Sequence, residues 1–204
     1  NKYNGKSKED IKEILGEAFH KFNSIRKRNL KLYDGVEDTL KQLFENGITI
    51  IGYTESAQEN GFYRLKKLGI TQYFKNIYTS ESKYISDIPL DKKIITVKTK
   101  KPDKDILITI CKQEKCSISE TVYIGDSLTK DVYMAKMANI TSIWANYPKD
   151  NNNYYNLLVD ITSWTEEDFK KEKELKEQFV LSNIKPDYMI SKFSQVLPIV
   201  LQEI

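Results

Sequence analysis

The sequence contains few of the residues that build metal centres from nitrogen and sulfur ligands. Its 204 residues include one histidine, His20, and two cysteines, Cys111 and Cys116. A structural zinc site usually takes about four Cys or His ligands, and His20 is far from the two cysteines along the chain. The composition therefore excludes a Cys/His zinc site. We interpret the cysteines as reduced, structural thiols, which are usual in cytosolic proteins.

Long apolar runs and an excess of charge of one sign are also absent. No run approaches the about 18 residues of a membrane-spanning helix, and residues 1–4 do not lead into a signal-peptide core. The 32 basic and 29 acidic residues are too balanced to indicate a nucleic-acid or membrane partner. We expect a soluble, cytoplasmic protein that binds neither nucleic acid nor membranes. Nothing in the sequence predicts its oligomeric state.

The chain does contain a regular alternation of helix and strand patterns. The predicted helices have apolar residues at helical spacing and lie at 8–28, 36–45, about 63–68, 103–114, 131–138, 164–181 and 193–201. The predicted strands are short runs rich in β-branched residues, at 48–53, 76–78, 93–97, 121–124, 142–145 and 187–190. This alternation is typical of an α/β fold with a doubly wound, mostly parallel sheet.

Polar residues occur where the elements of this sheet begin and end. Thr54 and Glu55 follow the strand 48–53, Asp126 follows a later strand, and Lys101 precedes a helix. Ligands of a doubly wound sheet bind outside the carboxyl ends of its strands. A hydroxyl and a helix N-terminus beyond Glu55 can donate to phosphate oxygens, Lys101 can neutralise their charge, and Asp126 is a hard ligand for Mg²⁺. The combination predicts a site for a phosphate and a divalent cation.

Each of these residues also has a purely structural interpretation. Thr54 and Asp126 could cap the helices that follow them, and Lys101 is one of five lysines in residues 92–101. The functional interpretation depends on the three occurring together, in order, each at the end of an element.

These motifs resemble those of the haloacid dehalogenase-like (HAD) superfamily of phosphohydrolases. The second motif of that family is a strand ending in Ser or Thr, here residues 50–54 (IIGYT), and the third is a Lys, often before Pro, here Lys101. The fourth and most specific is Gly-Asp followed by a further Asp, here residues 125–131 (GDSLTKD). Residues 33–40 are similar to the family's return from a helical cap, and residues 186–190 to its last strand. The resemblance covers about residues 30–201.

The resemblance implies a magnesium-dependent phosphatase that acts on a small phosphorylated metabolite through an aspartyl-phosphate. Thr54, with Glu55 beside it, would bind the phosphoryl group, and Lys101 would hold its charge and orient the nucleophile. Asp126 would ligate Mg²⁺, with Asp131 as a second acid at the metal site. Phosphoryl transfer depends mainly on such positioning and charge neutralisation.

The chain departs from the family at the first motif, an Asp-x-Asp-x-Thr sequence that supplies the nucleophile and the general acid. The Asp-x-Asp at residues 103–105 opens a helix and is in the wrong context. We therefore predict that residues 1–31 are the C-terminal part of a helical cap. Residues 32–204 would be a HAD-like core that lacks its first strand, with the nucleophile upstream of residue 1. The 204 residues alone are expected to be inactive.

Other interpretations remain open at this point. The chain could be a non-catalytic relative that keeps the phosphate pocket as a binding or regulatory module. It could also be an unrelated doubly wound domain that accepts a phosphoryl group on Asp126. The basic residues 26–28 are either a solvated helix end, where the helix dipole favours cations, or a contact to an anionic substrate.

Overall fold

The computed structural model describes residues 5, 7–82, 91–147, 170, 173–175, 177, 179–180 and 182–203. Six α-helices and six strands have defined bounds within these residues. The helices are α1 (Lys8–Arg28), α2 (Val36–Glu45), α3 (Gln58–Lys67), α4 (Lys104–Glu114), α5 (Tyr133–Met137) and α6 (Val196–Glu203). The strands are β1 (Ile50–Ala57), β2 (Phe74–Ser80), β3 (Ile94–Val97), β4 (Val122–Gly125), β5 (Thr141–Ala145) and β6 (Tyr188–Ile190). The described residues between 170 and 182 are helical as well. No helix among the described residues is long and apolar enough to cross a membrane.

The strands form two parallel sheets. One has the order β1-β2-β3 and the other the order β4-β5-β6, and every paired strand is parallel to its neighbour. Strands β1 and β4 are therefore edge strands, and within the described residues no ladder joins them. Both border one cavity of about 630 Å³. We call this cavity the slot.

Helices cover both faces of the two sheets, as in a doubly wound fold. On one face, α4 and α5 bury a cluster that includes Ile106, Leu107 and Met134. On the other face, α2 and α6 bury a cluster that includes Leu43 and Val196. Strands of both sheets contribute to each cluster. Burial of apolar area on both faces, the main stabilising contribution to folding, therefore holds the two sheets together.

The helix starts and ends follow from local signals in the sequence. Helix α1 begins at a capping box, in which Ser7 and Asp10 each accept a hydrogen bond from the backbone N–H of the other. Helix α2 ends before Gly47, whose φ of 78° fits a left-handed helix end. Both helices have the predicted bounds.

Several elements differ from their predicted extents, and two of the differences affect the neighbourhood of the predicted site residues. Strand β1 begins at Ile50 because the N–H of Ile48 closes the end of α2 on the carbonyl of Leu43, at 3.0 Å. It extends to Ala57, so that Thr54 and Glu55 lie inside the strand. The predicted helix 131–138 is instead a π-helical turn, Leu128–Val132, followed by α5. Most of the predicted helix 164–181 lies outside the described residues.

Candidate active site

The carboxyl ends of β1 and β4 open onto one cavity of about 520 Å³. We call it the rim cavity. Its lining residues include every site residue predicted from the sequence: Thr54, Glu55, Lys101, Asp126 and Asp131. Thr54 on β1 and Asp126 after β4 are more than 70 positions apart in the chain, and the parallel arrangement of the strands brings them together. The predicted residues are therefore neighbours.

Lys101 and Asp131 form an ion pair at the base of the rim cavity. The Nζ of Lys101 lies 2.8 Å from Oδ1 of Asp131, and the two side chains are only 13% and 6% exposed. The same carboxylate accepts hydrogen bonds from the Tyr123 hydroxyl and from the backbone N–H of Ser127, both at 3.1 Å. Buried charges are tolerated when they are paired and hydrogen-bonded. Asp131 therefore fixes the position of the Lys101 ammonium.

Two tyrosine rings complete the surroundings of this ammonium. The Lys101 Nζ lies 4.8 Å from the ring centroid of Tyr53 on β1 and 5.6 Å from that of Tyr123 on β4. Both distances allow a cation–π attraction. Burial raises the pKa of both phenols, and the Asp131 charge raises that of Tyr123 further. Both rings are therefore neutral at physiological pH, and the Lys101 side chain spans the gap between the two sheets.

Gly125 allows Asp131 to approach β4. A Cβ atom at position 125 would lie 2.2 Å from the Cβ of Asp131, which is closer than real Cβ contacts. The π-helical turn brings Asp131 back towards the strand, and Ser127 caps this turn by accepting a hydrogen bond from the Lys130 N–H at 3.2 Å. The glycine before Asp126 is thus required by the packing of Asp131.

Asp126 carries an exposed carboxylate that lines the rim cavity. Its backbone carbonyl accepts a hydrogen bond from Trp144 Nε1 at 3.2 Å, which ties the turn to β5, and no described residue bonds its carboxylate. The cap of the following turn is Ser127, so the helix-capping interpretation of Asp126 is wrong. A carboxylate with unused oxygens fits Mg²⁺. Across the described residues there is no cluster of three or more Asp, Glu, His or Cys that could hold a metal.

Thr54 and Glu55 lie near the carboxyl end of β1, on the side of the rim cavity opposite β4 and Asp126. Thr54 Oγ1 accepts a hydrogen bond from the Ser56 N–H at 3.1 Å, and no described residue accepts a hydrogen bond from the Thr54 hydroxyl. Helix α3 starts after Ala57 without a side-chain cap, so the helix-capping interpretation of Thr54 is also wrong. The Glu55 carboxylate accepts a hydrogen bond from the Lys101 N–H at 3.1 Å. Its predicted role in phosphate binding stays a prediction.

The basic residues at the end of α1 contact aromatic rings. Arg26 lies over the ring of Phe22, and Lys27 lies 5.0 Å from the ring centroid of Tyr63 on α3. None of these side chains lines the rim cavity. The two interpretations of this basic cluster, a solvated helix end and a substrate contact, both stay untested predictions.

Comparison with known sequences shows the family of the chain. A family model described as haloacid dehalogenase-like hydrolase matches residues 2–145, and the chain belongs to this family. It is 25% identical over 131 residues to a glyceraldehyde 3-phosphate phosphatase of Methanopyrus kandleri, which covers 64% of this chain and 50% of that protein. It is 28% identical over 116 residues to a phosphoglycolate phosphatase of Pseudomonas fluorescens, covering 57% of this chain and 37% of that protein. The chain thus spans half or less of these curated relatives.

Solved structures confirm the predicted fold class. The fold matches the magnesium-bound structure of the Bacillus subtilis protein YfnB, a HAD-hydrolase by its name, with a TM-score of 0.61 and 19% identity. The match covers 98% of this chain and 66% of that one. The likeness shows that the chain has the HAD-like α/β fold.

Proposed function

We propose that the protein is a magnesium-dependent phosphatase of the HAD type, acting on a small phosphorylated metabolite. The observation that carries the proposal is the arrangement of the rim cavity, where a hydroxyl, a paired ammonium and an open carboxylate face the same space. The names of both curated relatives, phosphatases of small phosphate esters, support it.

The proposed roles follow from the positions of the side chains. Thr54 donates its hydroxyl hydrogen to a phosphoryl oxygen, and the Lys101 ammonium neutralises the negative charge of the group. Asp126 is the ligand that this chain supplies to Mg²⁺. Asp131 is the second acid of the metal site, and it also holds Lys101 in place. When bound, Mg²⁺ would neutralise charge that develops on the phosphoryl oxygens.

We further infer that one more strand fills the slot and carries the nucleophile. Strands β1 and β4 both present unpaired edges to the slot, and apolar side chains from Ile50 and Leu107 line its walls. Neighbouring strands in a sheet lie about 4.8 Å apart, so one inserted strand would join the two sheets. A carboxylate at its carboxyl end would face Lys101. That carboxylate would attack phosphorus and release the leaving oxygen, and water would then hydrolyse the aspartyl-phosphate.

With a strand missing from the slot, the chain divides into part of a cap and an incomplete core. Residues 1–31, which contain α1, would belong to a helical cap, since α1 exposes the apolar side chains of Ile14, Phe22 and Ile25. Residues 32–204 would be the core without its first strand.

The direct test is phosphate release from p-nitrophenyl phosphate by the complete natural protein. We expect turnover with Mg²⁺ and none with a chelator. Asp126→Asn and Lys101→Met should each lower kcat/KM by roughly 100-fold or more, the usual effect of removing a charge-stabilising group. The matched controls are Asp38→Asn and Lys41→Met, which change exposed side chains of α2 and should leave kcat/KM unchanged.

Two results would contradict the proposal. One is a complete protein that contains the Asp-rich first motif yet releases no phosphate with Mg²⁺. If this protein still binds inorganic phosphate, the non-catalytic binding module is correct instead. The other is an Asp126→Asn variant as active as Asp38→Asn.

A further inference from the structure

A pair of cysteines lies at the amino end of β4, away from the rim cavity. Cys111 is in the last turn of α4 and Cys116 follows that helix, and both are free thiols. Each sulfur lies 3.6 Å from the hydroxyl oxygen of Thr121. Cys111 is 3% exposed, whereas Cys116 is exposed to solvent. One thiol of the pair is therefore accessible and the other is shielded.

The end of α4 holds the two side chains together. Lys115 has a φ of 59°, in the left-handed region, and the Cys116 N–H donates to the Cys111 carbonyl at 3.0 Å. The Lys115 N–H donates to the Lys112 carbonyl at 3.2 Å. These two bonds define a Schellman motif, in which the side chains of the first and sixth residues come into contact. That contact is usually between two apolar side chains, and here both side chains carry sulfur.

We propose that Cys111 and Cys116 are a thiol–disulfide exchange site. A low-molecular-weight disulfide is the oxidant, and an intramolecular disulfide between the two cysteines is the product. The Cys116 thiolate attacks one sulfur of the reagent, whose S–S bond breaks and releases one small thiolate. The Cys111 thiolate then attacks the Cys116 sulfur and releases the second small thiolate. Two protein thiols are oxidised, and the reagent is reduced to two thiols.

Exposure and burial assign the two roles. Exchange requires an accessible thiol to attack first, and Cys116 is the accessible one. Burial raises the pKa of the Cys111 thiol, which suits a thiol that reacts only after a mixed disulfide has formed beside it. The bond closes a very short loop, and short loops gain little stability from a disulfide. The bond should therefore be readily reduced.

The test is the reaction of the 204-residue chain with oxidised glutathione, followed by intact-protein mass spectrometry and a count of free thiols. We expect the wild type to lose both thiols and two hydrogen atoms, and dithiothreitol to restore it. Cys111→Ser should stop at a stable adduct with one glutathione. Cys116→Ser should stay unmodified because its remaining thiol is buried. Far-UV circular dichroism checks that both variants are folded.

Two outcomes would overturn the proposal. One is a wild type that keeps glutathione on Cys116 without closing the second bond. The other is a wild type that retains both free thiols under conditions in which Cys111→Ser forms its adduct.

Discussion

Lys101 takes its position from neighbours on three different elements. Asp131, in the turn before α5, accepts its hydrogen bond, while the rings of Tyr53 and Tyr123 approach from β1 and β4. All three neighbours attract the Lys101 ammonium. The arrangement thus keeps one positive charge between the carboxyl ends of the two sheets, where a phosphoryl group would need it.

Gly125→Ala should disrupt this arrangement. The new Cβ would collide with Asp131, and overpacking of this kind costs about 1–3 kcal/mol of unfolding free energy. Gly52→Ala on β1 is the matched control, because a Cβ there would lie 3.4 Å from the nearest atom, on the Phe74 ring, an ordinary contact. Urea unfolding measures both. Equal effects of the two substitutions would show that the close approach of Asp131 to Gly125 is unimportant.

A double-mutant cycle should reveal the coupling between Lys101 and Asp131. Asp131→Asn leaves a buried ammonium without its partner, which costs about 3–5 kcal/mol. Adding Lys101→Met removes that unpaired charge, so the double variant should be more stable than Asp131→Asn alone. Urea unfolding of the three variants gives the coupling energy. A double variant whose loss equals the sum of the two single losses would contradict the ion pair.

Single residues differ in how well the sequence predicts them. Thr54, Lys101 and Asp126 could be predicted because each occurs in a short motif at the end of an element. Tyr123 could not, since it lies in an apolar strand and its contact with Lys101 depends on packing between distant segments. The pairing of Asp131 with Lys101 was missed for the same reason.

Helix α4 is joined to β2 by a buried carboxylate at its C-terminal end. The Glu114 side chain is 3% exposed and pairs with Lys75 at 2.9 Å. It also accepts hydrogen bonds from Asn76 at 2.7 Å and Tyr78 at 2.8 Å. Burial by itself would raise the pKa of Glu114, but these donors outweigh burial and hold the pKa below its ordinary 4.5.

This lowered pKa predicts a pH-dependent contribution to stability. The unfolded state binds a proton on Glu114 at higher pH than the folded state does, so the stabilisation is present above pH 4.5 and is lost as pH falls through the folded pKa. The unfolding free energy of wild type should exceed that of Glu114→Gln most at neutral pH. Urea unfolding from pH 7 to pH 3 checks this. A difference that stays constant or grows towards low pH would contradict it.

The bounds of helices and strands were predicted well where a local sequence signal defines them. They were predicted poorly where contacts with distant segments define them. The capping box of α1 and the glycine after α2 are local, and both helices have the predicted bounds. The end of β1 depends on pairing with β2, where Thr54 lies beside Thr79. The π-helical turn depends on the packing of Asp131 against Gly125. Neither feature has a signature in its own segment of sequence.

At the scale of the whole molecule, the slot between β1 and β4 is open within the part of the chain that the structure describes. Strand β2 is paired on both sides within its sheet, and so is β5, whereas among the described strands β1 and β4 each have a partner on one side. Backbone groups on an unpaired edge have no ladder partner. The slot therefore separates the two sheets along their strand edges, while both sheets pack into the same two apolar clusters.

Hydrogen exchange of the 204-residue chain should report this difference. We expect the slot-facing amides of β1 and β4 to exchange faster than the amides of β2 and β5, because unpaired backbone groups are poorly protected. In the complete natural protein, a strand in the slot should slow the exchange of those edge amides. NMR or mass spectrometry measures both. Edge amides as protected in the 204-residue chain as those of β2 and β5 would contradict the open slot.

We propose that the carboxyl ends of β1 and β4 form one site for a phosphoryl group and a divalent cation. A crystal structure of the complete natural protein with Mn²⁺ and vanadate tests it most directly, because manganese is located by its anomalous signal. We expect manganese at the Asp126 carboxylate, and vanadate in contact with the Thr54 hydroxyl and the Lys101 ammonium. Manganese and vanadate bound elsewhere, with the rim cavity free of both, would contradict it.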